Sequence, residues 1–314
     1  MKEGIASSVL ENVYKAGERL KDVVVKTPLA VNNNLSAIYE ANISFKREDL
    51  QRVRSYKIRG AYNKMATMSQ EELSKGVVCA SAGNHAQGVA FACHTMKVKG
   101  TIFMPLPTPG QKLEQVKMFG GEYIDVILYG DTFDAAKDAA MSFCNDHNSA
   151  FIHPFDDEKV IAGQGTVGLE ILEQMPEVKT VLVCTGGGGL LAGTAMAIKE
   201  QNPKVKVIGV QAANAAAYPN SLKEGKPIAL ESMNTIADGI AVGKPGDVPF
   251  GIIQDYVDDV ITVTENQLSI AILQTLERGK LLVEPGGAAA AAAFIANPKA
   301  FEGPVAIVLS GGNM

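Results

Sequence analysis

Residues 180–199 read TVLVCTGGGGLLAGTAMAIK: a short β-branched run ending at Cys184, four consecutive glycines from Gly186 to Gly189, and an apolar stretch of helical composition. Strand, glycine loop and helix in that order put the loop beyond the carboxyl end of a strand, where open α/β sheets bind their ligands. Glycines let successive backbone N–H groups converge, and the helix that follows adds its positive end, so the loop suits an anion. A sharp, close-packed turn explains one or two glycines; four in a row favour a phosphate. Two common phosphate motifs fit poorly. The P-loop of nucleoside triphosphate sites needs Lys followed by Ser or Thr after its last glycine, and Leu190-Leu191 follow here. The dinucleotide pattern G-x-G-x-x-A is met by Gly187, Gly189 and Ala192, but the residue expected to hold a ribose with a carboxylate is Gln211. A small, singly phosphorylated ligand or cofactor is the first reading; a nicotinamide-dependent oxidoreductase is the second.

The flanking chain supplies the architecture. Runs at 43–46 (ISFK), 76–81 (GVVCAS), 101–105 (TIFMP), 123–128 (YIDVIL), 150–154 (AFIHP), 205–210 (VKVIGV) and 305–310 (VAIVLS) predict strands that alternate with helical stretches. That alternation implies an α/β fold with mostly parallel sheets covered by helices. AGQGTVGLEILEQM (162–175) and SIAILQTLERGK (269–280) carry helical stripes, and Ala288–Ala293, after Pro285-Gly286-Gly287, reads as a buried helix rather than low complexity. With 314 residues, 46% hydrophobic and 20% charged, the chain has ample core material. Its net charge of -5 comes from interspersed signs, so nucleic acid is not an expected partner. No apolar stretch of about 18 residues predicts a membrane span, and no secretory signal opens the chain. Cys79, Cys93, Cys144 and Cys184 form no C-x-x-C pair, which points to reduced thiols in the cytoplasm and to no metal centre.

Two further stretches carry chemistry. RSYKIRGAYNKM (54–65) sets Lys57 where a helix begins; the positive helix end disfavours a second positive charge, so the amine is expected to have a lowered pKa and to suit imine formation with an aldehyde. ASAGNHAQG (80–88) follows a strand and opens a helix, offering Ser81, Asn84 and backbone N–H groups to a carboxylate or phenolate. Each alone has a plain alternative, a solvated lysine and a common helix cap.

Together, SYKIRGAYN, SAGNHAQG, AGQGTVGLE, the tetraglycine loop and the terminal SGGN resemble the fold-type-II pyridoxal phosphate enzymes (tryptophan synthase β-like), specifically the threonine dehydratase (threonine ammonia-lyase) family, from about residue 20 to the end. PLPTPGQKLEQVKMFGG and LYGDTFDAA resemble the biosynthetic type of the isoleucine pathway. The resemblance implies pyridoxal 5'-phosphate as cofactor and β-elimination of L-threonine to 2-oxobutyrate and ammonia, with L-serine going to pyruvate. By the same resemblance Lys57 is the Schiff-base lysine and takes the Cα proton, while Gly186, Gly187, Gly188, Gly189 and Leu190 wrap the phosphate. Asn84 is expected at the phenolic oxygen, Gly239 beside the ring, Ser310 at the pyridine nitrogen and Glu284 near the ring, with a plain helix-end carboxylate as the alternative for Glu284. Ser81, Ala82, Gly83, Asn84 and His85 are expected to hold the substrate, with Ser81 also catalytic.

The family pattern also implies two lobes, residues 1–46 with 148–314 forming the cofactor domain and 47–147 an inserted smaller one, and a homo-oligomer, dimer or tetramer. Ala82 stands where serine racemases of this fold carry a second serine, so racemisation is expected to be minor. Gln211 and Ala217 stand where some relatives have carboxylates for a divalent ion, and neutral groups are poor ligands for a hard dication, so no metal is expected. The chain ends at SGGNM, from which we expect no C-terminal regulatory domain and no isoleucine sensitivity. A serine dehydratase or racemase of the same fold and a catalytically silent phospho-ligand sensor are the other readings.

Overall fold

The computed structural model describes residues 3–314, with side chains from Leu10 onward. Of the amino-terminal stretch, Met1 and Lys2 lie outside the described residues and Glu3–Leu20 is helical. The strands are β1 (Leu29–Val31), β2 (Ile43–Arg47), β3 (Val77–Ala80), β4 (Gly100–Met104), β5 (Ile124–Leu128), β6 (Ala150–Phe151), β7 (Thr180–Cys184), β8 (Lys206–Ala212), β9 (Asp259–Val263) and β10 (Val305–Leu309). They form two sheets, one ordered β1-β2-β10-β7-β8-β9 and one ordered β5-β4-β3-β6. The β1–β2 pair is antiparallel, and the other ladders are parallel. All eight expected strands are present. The short exposed β1 and the edge strand β9 were not expected. The run 150–154 pairs over two residues instead of five: Ile152 N still donates to Val78 O at 2.8 Å, and the chain turns away at His153.

Helices cover both faces of the larger sheet. Along β7, Val181 and Val183 face one apolar core and Leu182 the other, the pattern of a strand buried on both sides. The alanine run forms the helix Pro285–Ala296, with Pro285 at its first position and residues 286–294 buried. It is packed on all sides, against the helix Glu265–Glu277 and the sheet, as small residues permit. Because β2 and β10 are neighbours, the two ends of the chain close one sheet, and the smaller sheet is drawn from residues 77–151 between them. We propose that this smaller sheet and its helices are the inserted lobe. Ala150 and Phe151 pair with Val77 and Val78, which carries it past the boundary expected at residue 147.

The helix Lys57–Ala66 matters most for the site, because its first residue is Lys57. It is gripped closely on two sides. A Cβ on Gly163 would stand 2.5 Å from Arg59 O, and one on Gly88 would stand 3.1 Å from Lys57 O, so larger residues at either point would push the helix away. Buried Arg59 fixes its rotation, donating to both oxygens of Glu48 at 2.8 Å and to those of Glu170 at 2.7 and 2.9 Å. Its Nη1 also donates to Thr166 Oγ1 at 3.0 Å, so the guanidinium is fully satisfied. Lys46, buried as well, donates to Glu170 Oε2 at 2.5 Å and completes a neutral set of two cations and two carboxylates.

Candidate active site

A cavity of about 680 Å³ opens beyond the carboxyl ends of the strands, with Lys57 on its wall. A smaller cleft shares Lys57, Phe155, Gly239 and Val242 with it and runs under Gly186–Gly189 and Leu190. Lys57 therefore stands where the two spaces meet. Its Nζ donates to Pro154 O at 2.8 Å and lies 5.4 Å from the centre of the Tyr56 ring. Burial brings the amine down from its ordinary value to about 8, against the raising influence of Cys184 and Glu284. The direction matches the expectation, but the cause is burial rather than the helix end alone. Lys57 is thus deprotonated far more readily near neutral pH than an ordinary lysine, and its uncharged form can act as nucleophile or base.

The glycine loop presents backbone to the cleft and no side chain to its supports. Gly188, at φ +101, caps the helix Gly189–Lys199 from the left-handed region. A Cβ there would lie 1.9 Å from Tyr218 Oη, and one on Gly187 would lie 2.5 Å from the Phe155 ring. The first N–H groups of a helix have no intrahelical acceptor, so this turn keeps donors for an anion. Leu190 is buried in the core beneath.

Across the cavity, Ser81, Ala82, Gly83, Asn84 and His85 line the wall where β3 passes into the helix Asn84–Met96. Ser81 Oγ accepts from Gly83 N at 3.1 Å and shapes the loop. His85 Nε2 donates to Ile152 O at 2.8 Å, and burial lowers its pKa to about 3, so it is a neutral fastener of this loop. Asn84 donates through Nδ2 to Glu284 Oε1 at 2.7 Å and accepts at Oδ1 from Asn313 Nδ2 at 2.7 Å. Glu284 is the N-cap residue of Pro285–Ala296 yet makes no side-chain capping bond; its carboxyl turns to Asn84. Gly239 lies opposite, a Cβ there meeting Glu284 Oε1 at 3.7 Å.

Burial raises the Glu284 carboxyl to about 7, with the Asn84 bond working in the other direction. A carboxyl raised in the folded state favours folding below its unfolded value of 4.5, and that contribution is lost as pH rises to about 7. Glu284→Gln should therefore remove a pH-dependent loss of about 3 kcal/mol between pH 4.5 and 7.5. Urea unfolding of the cofactor-free protein and the variant across that range measures it. Parallel stability curves would show that Glu284 titrates normally.

Ser310 stands apart from the cavity surface. It is 3% exposed and its Oγ accepts from Cys184 Sγ at 3.1 Å; Cys184 is the member of the pair that lines the smaller cleft. Burial pushes the Cys184 thiol up to about 11, so it holds its proton and can donate. Gln211 is turned inward, its Oε1 accepting from Tyr218 N at 2.9 Å, and is committed to supporting the glycine loop. Phe155, Lys112, Lys137, Asp238 and Asn313 also line the large cavity. Lys112 and Asn313 fall within stretches that carry the family resemblance, PLPTPGQKLEQVKMFGG and SGGN, without an expected role there; Phe155, Lys137 and Asp238 lie outside these motifs. Lys112 pairs with Asp238 at 2.7 Å across its mouth.

A lysine amine at the junction of a glycine-lined cleft and a cavity of about 680 Å³ fits pyridoxal phosphate: backbone N–H groups for its phosphate and a buried amine for its aldehyde. The chain belongs to the family of pyridoxal-phosphate dependent enzymes, whose sequence profile matches residues 20–311. Within the family it falls among the threonine dehydratases. It is 48% identical to the biosynthetic L-threonine dehydratase of Halalkalibacterium halodurans, over 97% of this chain and 74% of that protein. The structure of the processed form of threonine deaminase isoform 2 from Solanum lycopersicum superposes with a TM-score of 0.95 at 39% identity, covering 100% of this chain and 91% of that one. Maize serine racemase superposes with a TM-score of 0.92 at 34% identity, covering 97% and 93%. Among the described residues, no helix is long and apolar enough to cross a membrane.

Proposed function

We infer that this chain is a threonine ammonia-lyase, converting L-threonine to 2-oxobutyrate and ammonia in isoleucine biosynthesis and also L-serine to pyruvate. The observation that carries the reading is Lys57, a buried amine lowered to about 8 between the tetraglycine cleft and the Ser81–His85 wall. Bound there, pyridoxal phosphate supplies an electron-withdrawing system that acidifies the Cα–H of an attached amino acid.

The chain's residues do the rest. Gly186–Gly189 hold the phosphate through backbone N–H groups, and Leu190 packs beneath them. Asn84, oriented by Glu284 and Asn313, would hold the phenolic oxygen, and Gly239 would leave room for the ring. Ser310, beneath the cleft behind Cys184, would serve the pyridine nitrogen, with its oxygen already bonded by the Cys184 thiol and its own proton free to donate. A neutral hydroxyl does not hold that nitrogen protonated as an aspartate does, which favours prompt loss of the β-hydroxyl over a long-lived carbanion. Ser81 and the 82–85 loop hold the substrate carboxylate at the start of the helix Asn84–Met96. With the cofactor bound, Lys57 Nζ would accept the Cα proton and, as the ammonium so formed, could return a proton to the β-oxygen so that the hydroxyl leaves as water; the released enamine would then take up water to give keto acid and ammonia. With alanine at position 82, no second hydroxyl serves the opposite face, which favours elimination over racemisation. A homo-oligomer in the cytoplasm belongs to the same reading and is supported by the family resemblance.

Keto-acid release from L-threonine, L-serine and their D-isomers, with and without added pyridoxal phosphate, tests the function. Cofactor-dependent 2-oxobutyrate from L-threonine is expected, with D-serine formation from L-serine a minor course. Racemisation exceeding elimination would replace this reading with that of a racemase.

A further inference from the structure

We propose that His153 is a positioning residue of the site: its Nδ1 accepts two backbone N–H groups and so pins the turn 153–156, which carries both the acceptor of the Lys57 amine and the support of the glycine loop. Nδ1 accepts from Phe155 N at 3.2 Å and from Asp156 N at 2.7 Å. Bonds to the N–H groups two and three residues on are the habit of Asn, Asp, Ser and Thr, whose side chains mimic a backbone turn. A histidine does so here, and it ends β6 where the apolar run alone predicts a longer strand.

Each residue of the pinned turn touches a different part of the site. Pro154 O accepts from Lys57 Nζ at 2.8 Å. Phe155 lies against the glycine loop, where a Cβ on Gly187 would meet its ring at 2.5 Å and one on Gly189 would meet its Cβ at 3.0 Å. Asp156 Oδ1 accepts from Val248 N at 2.9 Å, tying the turn to the segment whose Gly246 N donates to Gly187 O at 3.1 Å. One nitrogen lone pair therefore registers the lysine, the phosphate loop and the segment behind it. Burial lowers the imidazole to about 4, with Lys137 and Lys57 lowering it and Asp156 and Asp157 raising it. Nδ1 is consequently an acceptor at neutral pH, with the ring proton on Nε2.

The ring also packs edge-on to Phe155, centroids 4.7 Å apart, and to Phe151 at 6.0 Å. Packing and accepting can be separated by two substitutions. His153→Phe keeps an aromatic ring and removes the acceptor; His153→Asn removes the ring and restores an oxygen that accepts the same two N–H groups. The inference rests on the cleft being the pyridoxal phosphate site, so wild type is titrated with pyridoxal phosphate alongside both variants, and amide exchange of the cofactor-free proteins is followed at Phe155 and Asp156. Expected are protected amides in wild type and His153→Asn, lost protection in His153→Phe, and an affinity about tenfold weaker in His153→Phe but within about threefold of wild type in His153→Asn, the scale set by two lost backbone hydrogen bonds. The reverse order, with Phe the better substitute, would show that the ring acts by packing and overturn the inference. So would unprotected amides in wild type. Failure of wild type itself to take up the cofactor would instead overturn the reading of the site.

Discussion

Lys57→Ala is expected to lower kcat for threonine by about 10⁴-fold or more, because it removes the cofactor's attachment point and the Cα base in one change. The fold should survive. The side chain's hydrogen bond is to Pro154 O, and the helix Lys57–Ala66 is held elsewhere, by Arg59 and by the close approaches at Gly163 and Gly88. The variant should melt close to wild type and bind pyridoxal phosphate without its covalent attachment. Comparable kcat in a folded Lys57→Ala protein would remove Lys57 from the chemistry and shift attention to Lys112, Lys137 or Lys244, the other lysines of the cavity wall.

The second large effect is expected at Gly188. An alanine there meets a left-handed backbone at φ +101, and its Cβ falls 1.9 Å from Tyr218 Oη and 2.9 Å from Ile253 Cδ1. Tyr218 cannot yield freely, since it is fully buried and its hydroxyl donates to Gly187 O at 3.1 Å. Backbone strain of about 1–2 kcal/mol and overpacking of about 1–3 kcal/mol add to about 2–5 kcal/mol of lost stability, with the phosphate cradle displaced as well. Gly225 is the control. It has φ +70, but a methyl group placed on it would meet nothing within 4 Å, so Gly225→Ala should show the strain alone. Urea unfolding and pyridoxal phosphate titration of both variants measure the difference. Equal losses at the two positions would mean that contact with Tyr218 does not decide the need for glycine at 188.

The parts of the site that can be read in the sequence are those where chemistry dictates residue type at consecutive positions. Four glycines between a strand and a helix, and a lysine at a helix start, are read as a phosphate cradle and a reactive amine before the chain is folded, and the fold brings the two to one cleft. The parallel fold is legible for the same reason, from β-branched runs long enough to stand out. Phe155, Lys137 and Asp238 are not, because each is a single side chain brought to the cavity from a different segment, with no periodicity to mark it. His153 reads as strand because AFIHP is apolar in pattern, and only the folded turn reveals Nδ1 as the acceptor that ends it. β1 and β9 carry too weak a signal, one a three-residue exposed strand and the other a partly exposed edge. The lowered amine of Lys57 is expected from the sequence for a local reason, the helix end, whereas its dominant cause is burial, a property of the packed molecule.

The most direct measurement is borohydride reduction of the protein loaded with pyridoxal phosphate, followed by peptide mass spectrometry. A phosphopyridoxyl group on the peptide containing Lys57, and absence of that label after the same treatment of Lys57→Ala, is the expected result. Label carried instead by Lys112, Lys137 or Lys244, which also line the cavity, would contradict the assignment of Lys57 on which the site rests.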